Sequence, residues 1–151
     1  PLKLCAAISR NKAITMIRNY AELTQIATFE GRYEYLRLGG RVGADTFGHD
    51  RVLNQAFYTS SAWRQLRNEI IVRDQGCDLA VDGREISSKI LIHHMNPLTV
   101  TDVVHGTDNL MDPAFLITVS HNTHNAIHYG DYSMLDDGYI ERLPGDTTLW
   151  G

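Results

Sequence analysis

Cysteine is nearly missing from this chain. Cys5 and Cys77 are the only two in 151 residues, and neither belongs to a CxxC pair. At most one disulfide is available, and two free thiols in a reducing compartment are the expectation. Long apolar runs are missing too. The longest candidate, Leu4–Ile8, is far too short to span a bilayer and has no cationic run before a proper apolar region. A cytoplasmic location without a membrane partner is therefore expected. No internal repeat or low-complexity tract is visible. Nor is there an excess of positive charge: the net charge of −4 weighs mildly against a nucleic-acid binder.

What is present is ordinary globular material, 43% hydrophobic and 21% charged, in a length that suits one compact domain or a small catalytic unit with an arm. Its charge is unevenly spread. Residues 1–73 hold eleven Lys/Arg against six Asp/Glu, residues 74–130 hold two against seven, and residues 131–151 hold one against five. The front half can thus carry a phosphate-facing surface although the whole chain is acidic. Eleven of the fourteen basic residues are Arg, whose planar fork suits phosphate.

Apolar spacing predicts a helix over Asn11–Ile26, while Thr28–Leu38 is ambiguous and Gly39, Gly40 and Gly43 mark a loop. A second helix is expected from about His49–Asp50 through Phe57. A third covers Ser61–Asp74, capped by Ser60 or Ser61, with Trp63, Leu66, Ile70 and Ile71 facing inward and Gly76 after its end. From Cys77 the texture changes. Val81–Arg84 looks like a hairpin turn, Lys89–His94 a short strand closed by Pro97, and Thr99–Asp112 a polar loop. Phe115–Val119 reads as a strand, and Ser120 can cap a helix reaching Tyr129 before Gly130. The tail from Asp131 is acidic, turn-rich and expected to be peripheral. The predicted class is α+β: a mostly helical N-terminal part, then strand, loop, strand and helix.

Five of the seven histidines fall in two short runs, His93-His94 and His121 to His128. His124 and His128, four apart on the predicted helix, project from one face and can share a metal. His93 and His94 are neighbours on a strand and point to opposite sides, so only one joins the metal and the other is free for another role. A metal with three protein ligands keeps a position for a phosphate oxygen, and a nearby neutral imidazole can take a proton from water near pH 7. His121, three residues before His124, is a competing ligand.

Ile92-His93-His94-Met95-Asn96-Pro97, Asn109-Leu110, and Leu116–Ser120 leading to His124-Asn125 together resemble the HNH (ββα-metal, or His-Me finger) endonucleases. The run Phe57–Trp63 with Arg67 and Arg73–Cys77 is similar to bacteriophage members. The resemblance covers about residues 57–131 and is specific in 92–128. It implies an HNH nuclease domain over 57–130, a helical extension over 1–56 and an acidic tail over 131–151. It also implies His94 as general base, Asn109 as the residue that braces the loop and orients that base, and His93, His124 and His128 as ligands of one divalent ion. The all-imidazole set favours Zn²⁺, Ni²⁺ or Mn²⁺, with Mg²⁺ also open. One departure is clear. Many relatives carry two CxxC pairs that form a zinc knuckle, whereas here Ala80, Ser120 and Thr123 stand where thiolates would, so no knuckle is expected.

The implied activity is hydrolysis of DNA phosphodiester bonds, leaving 5′-phosphate and 3′-hydroxyl ends in a phage-infected host cytoplasm. DNA is the expected partner, with phage packaging proteins (terminase or portal) beside it. Arg64, Arg67 and Arg73 are candidate phosphate contacts, unless they are solvated or paired with Glu69 and Asp74. The alternative is a catalytically weak, metal-stabilised DNA-binding or packaging module. A purely structural metal site and an RNA-directed nuclease are further readings.

Overall fold

Side-chain caps start five of the seven described α-helices. In the computed structural model, which describes residues 16–38, 51–81 and 84–135, Asn19 accepts from the Glu22 N–H and starts α1 (Tyr20–Gln25), and Thr28 accepts from Gly31 N–H and starts α2 (Phe29–Leu36). The helix predicted over Asn11–Ile26 is thus shorter where it is described: Met16–Asn19 are not helical, because Asn19 caps and the Arg18 backbone turns to pair with the Asn96 side chain. Residues 11–15, the Gly39–Gly43 loop and the His49–Asp50 start lie outside the described residues. So do Cys5, the Asp82-Gly83 tip and residues 136–151.

α3 (Arg51–Thr59) and α4 (Ser61–Arg73) follow, the latter capped by Ser60 and closed by Asp74. Trp63, Leu66 and Ile70 of α4 are buried as expected, while Ile71 is only half-buried. Gln75 and Gly76 both take positive φ, 57° and 69°, to reverse the chain after α4. Cys77–Asp78 (β1) pairs antiparallel with Arg84–Glu85 (β2) on either side of the predicted hairpin tip. The second antiparallel pair is β3 (Leu91–His94) with β4 (Leu116–Val119), in the register Leu91↔Val119, His93↔Ile117, His94↔Leu116. α7 (His121–Tyr129) then runs from the Ser120 cap to Gly130, whose φ is 67°. The class is α+β, as predicted.

The stretch Thr99–Asp112, expected as a loop, contains α5 (Val100–His105) and α6 (Asp108–Met111). These helices are too short to show apolar periodicity. Local chemistry makes α5: Thr99 and Asp102 form a reciprocal capping box, Gly106 ends the helix at φ 60°, and the Thr107 hydroxyl donates to Asp102 (2.5 Å).

Alternation along β4 explains why all four of its residues are buried. Ile117 and Val119 face a core shared with Leu23 of α1, Leu36 of α2 and Ile127 of α7. Leu116 faces Trp63, Leu66 and Ile70 of α4. Thr118, on that same side, is satisfied by polar partners. Its N–H donates to the Asp74 carboxylate (2.8 Å) and its hydroxyl to the Cys77 carbonyl (2.5 Å). Asp78 likewise accepts from the N–H groups of Ser120 (2.9 Å) and Ala80 (3.1 Å). Buried carboxylates and hydroxyls thus tie β1, β4 and the start of α7 together where the sequence lacks thiolates, and Cys77 is a free thiol. The tail begins against the body: Tyr132 meets the Tyr33 ring edge-on at 5.2 Å. Among the described residues no helix is long and apolar enough to cross a membrane.

Candidate metal centre

Residues directly opposite on an antiparallel pair share a face. His93, opposite Ile117, therefore points toward α7, and His94, opposite Leu116, points toward α4. On α7, Thr123, Ala126 and Ile127 are buried, and His124 and His128 stand half-buried along its flank. Strand and helix bring three imidazoles together. One ring nitrogen from each of His93, His124 and His128 lies within 4.8 Å of the other two. His93 meets the other two rings edge-on, at 5.5 Å from His124 and 5.1 Å from His128, and the last pair is 4.3 Å apart.

The site fits a cation on two counts. Among the described residues, His93 Nε2 is the single buried side-chain nitrogen or oxygen without a hydrogen-bond partner. Such an atom in a ring only 1% exposed is costly unless something ligates it. Second, all three rings are held neutral, which is the ligating form. Burial lowers His93 well below 6.5, helped by His128, His124, His94 and Arg18. Burial, then His124, brings His128 to about 4. Burial also lowers His124, with Asn125 opposing and His121 adding to the shift. His121 itself is exposed, and its Nε2 takes the Asn125 amide at 3.1 Å, outside the three-ring cluster.

His94 occupies the other side of β3. Its Nε2 is 3.1 Å from the Leu110 carbonyl. A carbonyl only accepts, so Nε2 carries the proton and Nδ1 keeps its lone pair. Burial lowers this ring to about 4, the Leu110 contact opposing. The Trp63 indole lies nearly parallel to it, with ring centres 5.5 Å apart and planes 12° from parallel. Asn109, half-buried on α6, lies beside Asp102, where its side chain helps to hold that carboxyl low. Burial pushes the Asp102 carboxyl up, and hydrogen bonds from Thr107, Thr99 and Asn109 outweigh that and hold it low. The Thr107–Asp102 bond ties the start of α6 to α5, and Leu110, the residue after Asn109, supplies the carbonyl that receives His94.

The three arginines differ in what they do. Arg73 is committed to the fold: it grips the buried Asp74 (2.7 Å), donates to the carbonyls of Pro113 (2.7 Å) and Leu116 (2.6 Å), and stacks 3.8 Å above Tyr20. That is the Asp74 pairing weighed as its alternative in the sequence. Arg67 reaches the Ile90 carbonyl (3.1 Å), and the exposed Arg64 reaches that of Thr59 (3.0 Å). Sequence reasoning missed Arg18. Its charge is felt at His93, its side chain donates to the carbonyls of Tyr35 (2.5 Å) and Arg37 (3.2 Å), and its backbone exchanges two hydrogen bonds with Asn96. The one available signal was Asn96 beside the His-His pair. A cavity of about 390 Å³ beside the first turn of α7 is lined by Arg84 and His121 but also by Asp78 and Glu85, and it contains none of the three clustered rings.

The geometry defines a protein with a three-histidine candidate centre for a divalent ion, set between an antiparallel strand pair and a helix. Compared with protein-family models, with curated proteins and with solved structures, the chain matches none.

Proposed function

We propose that this chain is a metal-dependent endonuclease of the HNH type, hydrolysing DNA with His94 as general base. The observation that carries this reading is the division of roles across β3. One histidine of an adjacent pair joins two helical histidines around an unpartnered buried nitrogen, and the other is held neutral with Nδ1 free. The order of β3, β4 and α7 is what a ββα-metal unit requires.

His93, His124 and His128 would hold the ion. When bound there, a divalent ion supplies Lewis-acid stabilisation of the charge that develops on the phosphate and the departing 3′ oxygen. Its identity is open among Zn²⁺, Ni²⁺, Mn²⁺ and Mg²⁺, the imidazole set favouring the first three. The chain's own part is proton handling. At pH 7 the half-buried His94 is neutral, so Nδ1 can accept the proton of a water molecule attacking phosphorus. The charge of a nearby phosphate stabilises the resulting imidazolium and raises the ring from its resting value. Asn109, beside Asp102 and next to Leu110, would brace the α5–α6 segment, which Thr99 and Thr107 fix on Asp102, and with it the Leu110 carbonyl. The products carry 5′-phosphate and 3′-hydroxyl ends.

DNA is the proposed partner, with phage packaging proteins as candidate associates in a host cytoplasm. Arg64 is the best placed of the three arginines for phosphate, because it is exposed and Arg73 is not free to move.

The test is cleavage of supercoiled plasmid across a panel of divalent metals, with and without chelator, run beside an RNA substrate. Metal-dependent nicking that chelator abolishes supports the reading. Strong metal-induced stabilisation with no cleavage of either substrate would instead support a structural metal site in a binding or packaging module.

A further inference from the structure

A base that accepts a proton must hold one orientation, and a single hydrogen bond leaves an imidazole free to tilt about it. His94 has a second constraint. The Trp63 indole, 5% exposed and packed with Leu66, Ile70 and Leu116, stacks offset against the His94 ring, nearly parallel with centres 5.5 Å apart. Phe57 and Tyr58 brace the indole in turn, at 4.9 Å and 5.2 Å between ring centres. Aliphatic side chains would fill this part of the core as well by volume, but only a flat, wide surface stops an adjoining ring from tilting. The short element between α3 and α4 places the aromatics: Ser60 caps α4, which sets Trp63 on its first turn facing β3.

We propose that Trp63 is a positioning residue for His94. Together, the indole face and the Leu110 carbonyl hold the imidazole in one plane and one tautomer, with Nδ1 directed away from both. The inference deepens the nuclease reading, and it rests on that reading for its catalytic meaning.

The closing experiment uses the full chain, metal-free, at pH 7.5. Imidazole nitrogen and carbon-bound proton resonances are recorded for wild type, Trp63→Leu and Trp63→Phe, with the His94 signals identified from a His94→Gln spectrum. Wild type is expected to show one neutral ring protonated at Nε2, with its carbon-bound protons displaced upfield by the indole face. In Trp63→Leu the nitrogen shifts move toward the average of the two tautomers and the upfield displacement disappears, while Trp63→Phe keeps both features. With metal, kcat on plasmid falls roughly three- to tenfold in Trp63→Leu, the equivalent of one aromatic stacking contact. KM and the metal-induced rise in Tm do not change, and Trp63→Phe recovers most of the rate. A wild-type ring without the displacement, or a folded Trp63→Leu with His94 still in one tautomer, overturns the inference. Should Trp63→Leu fail to fold, the wild-type displacement and its retention in Trp63→Phe decide. Absence of wild-type cleavage with every metal would sink the nuclease reading and leave the resonance result to judge the positioning role by itself.

Discussion

Replacing His93 by leucine should reverse the stability ranking of variant and wild type according to whether metal is present. In the metal-free chain, His93 buries a ring nitrogen with no partner, a burden of roughly 1–3 kcal/mol for an unsatisfied polar group. Leucine is close to histidine in volume and has nothing to satisfy. Ile117, its partner across the strand pair, is apolar and buried, and the neighbouring His124 and His128 rings are neutral when metal-free, so His93→Leu should stabilise the metal-free chain by about 1 kcal/mol or more. For a chain of this length each kcal/mol moves Tm by about 2–4 °C, so the variant should melt about 2–6 °C above wild type in chelator. With free metal at about one hundred times its dissociation constant, wild type gains ~2.7 kcal/mol by linkage, roughly 5–10 °C. A site reduced to two ligands gains little, and wild type then melts higher. Differential scanning fluorimetry at pH 7.5, with chelator and then with Zn²⁺ or Ni²⁺, reads both halves. A variant that melts below wild type in chelator, or that still rises with metal as wild type does, would refute the argument that His93 is held ready for an ion.

Other perturbations separate the roles around the site. His94→Gln should lose about 10²–10⁴-fold in plasmid cleavage, the usual worth of an oriented base, yet keep the metal-induced rise in Tm; an equal loss of both would remove His94 from the base role. Metal-free stability should fall as pH drops from about 6.5 to 4. In that window the unfolded chain takes up protons that His94 and His128, each lowered to about 4, refuse while folded. Stability is therefore fullest above 6.5, and at about 1.4 kcal/mol per tenfold His94 alone can account for up to ~3 kcal/mol; flat urea midpoints between pH 7 and 4.5 would contradict this. Arg73→Ala strands the fully buried Asp74 carboxylate and should cost about 3 kcal/mol, read by urea denaturation, whereas Arg64→Gln should stay within about 1 kcal/mol of wild type because its site is exposed. If Arg64 neutralises a phosphate, the same variant should lower the salt slope of DNA binding by about 1.

The parts of this molecule legible in its residues are those set by short-range chemistry. Ser60 and Ser120 announced the starts of α4 and α7, and Gly130 the end of α7, because caps act within one turn. Part of the three-histidine cluster was legible for a related reason. A four-residue spacing puts His124 and His128 on one helical flank, and strand alternation sends His93 and His94 to opposite faces. α5 and α6 escaped notice because helices of six and four residues have too few turns to display a period, and α5 is made by a capping box and a left-handed glycine. The N-terminal helix was overextended for the opposite reason: its apolar spacing continues upstream of Asn19, but a tertiary pairing with Asn96 takes the backbone there out of the helix.

The sequence by itself determined the α+β class, the strand–helix order and the pairing of His124 with His128 on one helical flank, all of which follow from periodicity and caps. Only tertiary structure decided that His93 rather than His94 faces α7, because that choice depends on the register of β3 against β4. It also decided that Arg73 takes Asp74 and the carbonyls around β4 rather than solvent, that the Arg18 charge is felt at His93, and that Trp63 stacks beside His94. Apart from the adjacent Arg73–Asp74 pair, each of these joins residues distant in the chain. Their energies depend on distance and burial, which no local pattern encodes.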